Sequence, residues 1–324
     1  MVWIVDCNVV SCSAIFSGCG ETVHFRTDTR IYLQTIKGWA DAENVLRNIY
    51  KRPCSRSGKP AIFGFSVFWS IFSGYHLRIY IRLSPVNFTD IFNVNDRVDM
   101  KLPYEQDKLI EELLAVNPNT VITFVGGSPV EMGSWLEKAK TVVWSWYAGM
   151  EGGNALAEVL FGDVTPSGKL PETFYKKHTD CSAHAVGEFP GGSKVHYAEG
   201  MFVGYRYNDT FQIEPEFCFG HGLSYTTFLY ENPVLVQKNG LNYVECNVTN
   251  IGTTAGKETV QVYTASMEKK ETEPVQELKG FEKTKLLLPG ECQRVSVLVE
   301  GMIEKKNLRI GSSSRDIRFV IESR

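Results

Sequence analysis

The sequence predicts an α/β unit followed by an all-β unit: a partial α/β/α sandwich with a mainly parallel sheet, then a β-sandwich. Three observations predict it. Between residues 103 and 162 short apolar runs alternate with helical patterns, the signature of a parallel sheet covered on both faces. From about residue 229 to the end, short alternating runs are separated by turn residues such as Asn239-Gly240 and Pro289-Gly290. The length, 324 residues, suits two domains of ordinary size.

The elements follow in order. Residues 40–50 (ADAENVLRNIY) read as a helix, and KRPCSRSGKP after it as a loop. The apolar run 61–74 is too short to cross a bilayer and reads as a buried strand or helix, while 75–83 (YHLRIYIRL) alternates like a strand. LPYEQDKLIEELLAVNP reads as a helix with Pro103 at its start, Leu109, Leu113 and Val116 on one face, and Asn117-Pro118 as its stop. TVITFVGG at 120–127 is a buried strand. SPVEMGSWLEKAK is expected to be a short helix capped by Ser128 with Pro129 in its first turn. TVVWSWY at 141–147 is a second buried strand, and NALAEVLFG at 154–162 a helix capped by Asn154 and stopped by Gly162. The predicted boundaries are 1–90, 91–228 and 229–324.

Composition narrows the function classes. Hydrophobic and charged contents of 43% and 22% are those of a globular chain, and a net charge of −3 gives no pull toward nucleic acid or an anionic membrane. Cys7, Cys12, Cys19 and His24 cluster with gaps that match no standard zinc pattern, and Cys181, Cys218, Cys246 and Cys292 are single, as small buried apolar residues would be. The apolar start lacks a basic region and carries Asp6, so it is not read as a signal peptide, and the cytoplasm is the expected compartment. Asn87, Asn208 and Asn247 lie in N-x-S/T sequons, a pattern common by chance.

The stretches WSWYAGMEGGNALAEVLFGDVTPSGKLPETF (144–174), YAEGMFVGYRYND (197–209) and FCFGHGLSYTTF (217–228) resemble the C-terminal half of the glycoside hydrolase family 3 enzymes, the β-glucosidase family. VTNIGTTAGKETVQVY and PVQELKGFEKTKLLLPGE resemble the fibronectin type III-like domain that closes many of them, although the chain reads short by about one strand between Glu300 and Leu308. The resemblance runs from Asn95 to the C-terminus; residues 1–90 resemble nothing identified.

That resemblance implies hydrolysis of O-glycosyl bonds in a β-linked gluco-oligosaccharide or aryl glycoside, without a cofactor. The chemistry needs two carboxylates, which stand about 5 Å apart in retaining enzymes. In the family the nucleophile is an aspartate on a separate (β/α)8 barrel, a fold of about 250 residues that this chain has no room for before the match. Possible partners are therefore the glycoside and a separate barrel subunit. No catalytic residue is assigned. The family's acid is often a glutamate shortly before an Asp-Arg pair; aligning on Asp96-Arg97 places Asn93 there, and an amide cannot shuttle a proton. Asp96 and Arg97 are the candidate sugar-binding residues, with a local ion pair as the alternative.

Other candidates carry plainer readings. Gly149, Gly152 and Gly153 could cradle an anion but more simply allow close packing of helix on strand. Glu151, Asp163, Glu188 and Glu199 read as cap or turn carboxylates, and Cys181 and Cys218 have no nucleophile context. His221 is expected to hydrogen-bond across the domain junction. Trp144, Trp146 and Tyr147 could stack on a sugar but suit core and interface roles at strand spacing. Phe202, Tyr205, Arg206 and Tyr207 are expected to form an aromatic strip joining the two domains. A non-catalytic carbohydrate- or protein-binding remnant of a glycosidase is the competing reading.

Overall fold

The computed structural model describes the backbone of three strands, β1 (Val2–Ile4), β2 (Ser66–Phe72) and β3 (His76–Leu83), and then residues 99–322 apart from 190, 192, 269 and 270. The helix expected at 40–50 and the Cys7, Cys12, Cys19, His24 cluster lie outside the described residues, as does Asn87.

The first unit is built on a five-stranded sheet in the order β1-β5-β4-β3-β2, where β4 is Val121–Phe124 and β5 Thr141–Trp144. Pairs β1–β5, β5–β4 and β4–β3 are parallel, and β2 closes one edge antiparallel to β3. The run 61–74, open between strand and helix in the sequence, thus contains a strand. Helix α1 (Gln106–Val116) packs Leu109, Ile110, Leu113 and Leu114 against Ile122, Phe124, Val142 and Trp144. Helix α2 (Gly152–Phe161) packs Val159 against Val121 and Val143, which point from the opposite face because successive strand residues alternate. Strands β4 and β5 are thus covered on both faces, as their continuous apolar runs require.

Local chemistry accounts for the boundaries and for the departures from expectation. Pro103 starts a 3-10 turn (Pro103–Glu105) before α1, and Val116, predicted on the apolar face, is exposed at the frayed end. Gly162 ends α2 in the left-handed conformation (φ +85°), as predicted. Asn154 does not cap α2: the helix starts two residues earlier, and the Asn154 amide donates to the Glu151 carboxylate. SPVEMGSWLEKAK forms only a 3-10 turn (Gly133–Trp135), preceded by Met132 rather than by a Ser128 cap. Here packing overrides propensity. Val130, Met132 and Trp135 are all sunk in the core with α1, a spacing that a regular helix would spread over more than one face.

The second unit is a sandwich of seven strands: β6 (Phe228–Lys238), β7 (Leu241–Asn250), β8 (Thr259–Ser266), β9 (Glu277–Lys283), β10 (Cys292–Val299), β11 (Lys306–Gly311) and β12 (Ile317–Glu322). One sheet has the order β10-β7-β6 and the other β12-β11-β8-β9. Val244, Cys246, Val248, Val260, Val262, Val295, Val297, Leu308 and Ile310 fill the space between them. The strand expected to be missing after Glu300 leaves no gap in this core, because β11 begins at Lys306 and pairs with both β8 and β12. Asn239 and Gly240 both have positive φ, as a two-residue hairpin turn demands. Cys246 is buried as expected of an apolar cysteine, whereas Cys292 is exposed.

The two units are tied by side chains from residues 165–225. Arg315 donates Nε to Asp209 Oδ1 (2.9 Å), Nη1 to the Glu214 carboxylate and Nη2 to the Ile213 carbonyl (2.9 Å). Gln276 Nε2 donates to Asp209 Oδ2 (3.0 Å), so both oxygens of this buried carboxylate are satisfied by the sandwich. Lys169 pairs with Glu258 at 3.1 Å, with both side chains largely buried. Of the predicted strip, Tyr205 and Arg206 join the units: the Tyr205 ring stacks on Phe219 and meets Tyr263 edge-on, its hydroxyl accepts a bond from the Leu278 amide (2.8 Å), and Arg206 pairs with Glu277 at 3.3 Å, whereas Phe202 and Tyr207 pack on Phe211 of the first unit. Gly220, at φ +80°, lets the chain pass where a Cβ would lie 2.5 Å from Gln261 Oε1 and 2.9 Å from Ser313 Cα. Two short helices follow α2, α3 (Ser182–Ala185) and α4 (Tyr205–Thr210); Asn208, one of the three sequon asparagines, is fully buried in α4, which excludes it as a glycan acceptor in the folded state.

Truncating Asp209 leaves Arg315 and Gln276 without their shared acceptor. Asp209→Ala is expected to cost about 2–4 kcal/mol in urea unfolding followed by tryptophan fluorescence.

Candidate functional site

In open α/β sheets ligands bind outside the carboxyl ends of the strands. Here β3, β4 and β5 end level with one another, at Leu83, Phe124 and Trp144, which are register partners. The described loops leaving that edge are residues 125–132 after β4 and 145–151 after β5. Asn93, Asp96 and Arg97, which follow β3 in the sequence, lie outside the described residues.

The loop after β5 separates three aromatic residues that the sequence grouped together. Trp144 is wholly buried and meets Phe174 edge-on at 4.9 Å. Trp146 sits at φ +50°, a conformation disfavoured for a bulky residue, and packs half-buried against Trp144 and Phe174. Core roles therefore hold for these two. Tyr147 differs: it is 64% exposed, and its ring lies over Gly127 of the β4 loop, where a Cβ would stand 2.4 Å from the ring. Met150, further along the same loop, is also exposed. The edge thus presents a fixed aromatic ring, backed by glycine and open to solvent.

The β4 loop also fixes the segment after residue 174. Glu131 Oε1 accepts from both the backbone N–H and Nδ1 of His178, each at 2.7 Å. The His178 ring meets His184 at 4.9 Å, and His184 meets Phe189 at 4.5 Å. Burial and the neighbouring His178 hold His184 below the ordinary histidine range. No local pattern signals this pairing, since Glu131 and His178 lie 47 residues apart and neither belongs to a recognisable motif.

Glu172 is a second residue that sequence reading missed. It sits two residues before Phe174, and burial pushes its carboxyl up to about 7, so that it is half-protonated at neutral pH. Tyr175 nearby is raised by burial and by its hydrogen-bonded neighbour Cys181. No feature of the sequence PSGKLPETF reveals that a glutamate flanked by Pro171 and Thr173 is desolvated.

The remaining candidates take structural roles. Glu151 and Asp163 are exposed and line, with Asn154, Glu158 and Phe161, an open depression of about 400 Å3 beside α2. Glu188 accepts the backbone N–H of His196 at 3.0 Å, a turn role. His221 makes no hydrogen bond across the junction through Nε2, which is buried without a partner; the ring packs on Phe217 at 5.0 Å, and burial together with Lys169 pushes its basicity down to about 4. The cross-junction bonds come from its neighbours, Phe219 and Lys169. Cys218 contacts Ser313. Among the described residues no group of three or more His, Cys, Asp or Glu side chains is arranged to hold a metal.

Comparison with known proteins follows this division of the chain. Residues 86–225 match the model of the glycosyl hydrolase family 3 C-terminal domain, and residues 258–301 that of the fibronectin type III-like domain. Residues 86–225, the part of the α/β unit that follows β3, are a family 3 glycosyl hydrolase C-terminal domain. Curated relatives include a β-glucosidase of Bacteroides ovatus, 45% identical over 212 residues that cover 63% of this chain and 28% of the relative. A thermostable β-glucosidase of Acetivibrio thermocellus is 45% identical over 210 residues, 63% of this chain and 27% of the relative. Among solved structures, a Kluyveromyces marxianus β-glucosidase superposes with a TM-score of 0.70 at 37% identity, covering 76% of this chain and 31% of that one. A Streptomyces venezuelae β-glucosidase in complex with D-glucose superposes at 0.68 and 33% identity, covering 75% and 33%. The chain thus spans about a quarter of the length of these curated relatives, and the match lies in their C-terminal part.

Two pH dependences follow. His221 takes up its proton at about pH 4 in the fold and near 6.5 when unfolded, so the unfolded chain binds more protons in between. Stability is full above pH 6.5 and falls toward pH 4, by about 3 kcal/mol from this group. His221→Gln is expected to flatten that acid limb in urea unfolding. Glu172 has the opposite sign. Its folded value of about 7 lies above 4.5, so stability is full below 4.5 and is lost as pH rises through 7. Because the group is partly solvated, Glu172→Gln is expected to stabilise by only about 1–2 kcal/mol at pH 8 and not at all at pH 4, in the same assay.

Proposed function

We propose that this chain is the C-terminal portion of a β-glucosidase-type family 3 glycoside hydrolase, supplying one wall of a sugar site whose nucleophile comes from a (β/α)8 barrel. The observation that supports this most directly is the 45% identity over 212 residues to an enzyme of which those residues are only 28%. The substrate class carried over from such relatives is a β-linked gluco-oligosaccharide or aryl β-glucoside. The boundaries near residues 91 and 228 belong to this reading, as does the contact of Asp96 and Arg97 with the sugar.

Cleavage requires an acid that protonates the leaving oxygen and a carboxylate on the opposite face of the ring. In the alignment on Asp96-Arg97 an amide, Asn93, takes the place where the acid often stands. Glu172, raised to about 7 by burial, is the carboxyl nearest to an acid's range, but it has no partner carboxylate assigned to it. The chain therefore contributes binding surface and lacks a complete catalytic pair. The alternative, a non-catalytic carbohydrate- or protein-binding remnant, is favoured by Asn93 and by the unrelated first 90 residues.

The test is release of the phenol from an aryl β-glucoside by the purified, folded chain. Turnover at the background rate is expected. Turnover that co-purifies with the chain and disappears on changing a carboxylate between residues 91 and 228 would overturn the reading.

A further inference from the structure

His178 and His184 stand together on a hinged turn. His178 belongs to the 3-10 turn His178–Asp180 and His184 to α3, and the residue between these elements, Cys181, has extended backbone (φ −78°, ψ 141°). The ring centroids are 4.9 Å apart, and both residues are half-buried. The two histidines are held differently. Glu131, in the loop after β4, accepts both the backbone N–H and Nδ1 of His178, each at 2.7 Å. A carboxylate only accepts, so Nδ1 carries the ring proton and Nε2 is the basic atom. His184 touches the His178 and Phe189 rings, and among the described residues no carboxylate bonds to it.

The charged or titratable groups on the elements that meet the pair are few. They are Glu131 from the β4 loop, Tyr175, Lys176, Lys177, Asp180 and Cys181 around the 3-10 turn, and Glu188 and His196 beyond α3. Asp180 accepts the Lys177 amide, Glu188 accepts the His196 amide, and Tyr175 bonds to Cys181. A proton added to the His178 ring is balanced by the Glu131 carboxylate, which tightens the anchor. A proton added to His184 is partly desolvated and set against His178, with no counter-charge beside it. Burial, and then His178, hold His184 below the ordinary histidine value of 6.5. The closed arrangement therefore binds fewer protons than one in which His184 is released to water. The stability of the contact is full above about 6.5 and is lost as pH falls below it.

We propose that α3 and the residues up to Phe189 form an acid-released flap: at neutral pH the His178–His184 contact holds it against the anchor at Glu131, and in mild acid it swings out about Cys181 while His178 stays bonded. Phe189 follows α3 in the chain and moves with it. The flap adjoins the loop at the carboxyl end of β4, so its release changes what that edge presents. The inference stands independently of the function proposed above.

The test is hydrogen exchange of the full chain, with each rate divided by the intrinsic rate at the same pH. The amides of Ala185, Val186, Gly187 and Glu188 report, since they bond to carbonyls between Cys181 and His184. A one-turn helix does not persist once it is detached, so release exposes them. Their protection is expected to fall about three- to tenfold from about pH 7.5 to about pH 5.5. His184→Gln is expected to keep the ratio of protection at the two pH values near one, whatever it does to the protection itself. His178→Asn, whose amide can still donate to Glu131 but takes no charge, is expected to lessen the fall. A fall that persists undiminished in either variant overturns the proposal. So does constant protection in the unaltered chain, or a fall matched by the amides of β4, β5, β7 and β8, which is opening of the whole fold.

Discussion

The carboxylate of Asp209 is the point on which the arrangement of the two units depends. It sits at the end of α4, largely buried, and both of its oxygens are taken by sandwich side chains, Arg315 and Gln276. Arg315 spends its other donors on Glu214 and the Ile213 carbonyl, so one guanidinium fixes the whole turn after α4. A buried carboxylate with two fixed donors tolerates little displacement, because any shift leaves charge unpaired in a poorly solvated place. The Lys169–Glu258 pair and the close pass at Gly220 repeat the constraint at a second and a third position. The sandwich thereby acts as a brace for residues 165–225, and those residues in turn pack Phe174 and Phe217 on the end of β5.

What the brace positions is an edge rather than a finished catalytic centre. Three parallel strands end together, a tyrosine ring is held over a glycine, and a histidine is pinned by Glu131. On the function proposed above, such an edge would stack on the apolar face of a sugar ring rather than cleave a bond by itself. Hydrolysis calls for a second carboxylate on the opposite side of the ring, and in the family that side is built by another domain.

Much of the architecture was legible in the sequence because it is written in periodic patterns and turn chemistry. The α/β alternation, the stop at Gly162, the Asn239-Gly240 hairpin and the junction role of Tyr205 all follow from residues close in sequence. The misreadings share a physical origin. Ser128 and Pro129 look like a helix start, but the burial of Val130, Met132 and Trp135 with α1 holds that segment in a tighter turn. Trp144, Trp146 and Tyr147 look alike in a strand, and only the reversal at Trp146 sends Tyr147 outward. The Glu131–His178 pair and the desolvated Glu172 depend on contacts far apart in the chain, which no local pattern encodes. Asp96 and Arg97 were named from family resemblance alone and fall outside the described residues.

If the junction makes one body of the two units, they must open together. Native-state hydrogen exchange measured across a urea series tests this most directly. Cooperative coupling predicts that the slowest amides of β4 and β5 and those of β7 and β8 share one opening free energy and one urea dependence. Sandwich amides that stay protected under conditions where the α/β sheet has already exchanged would contradict it.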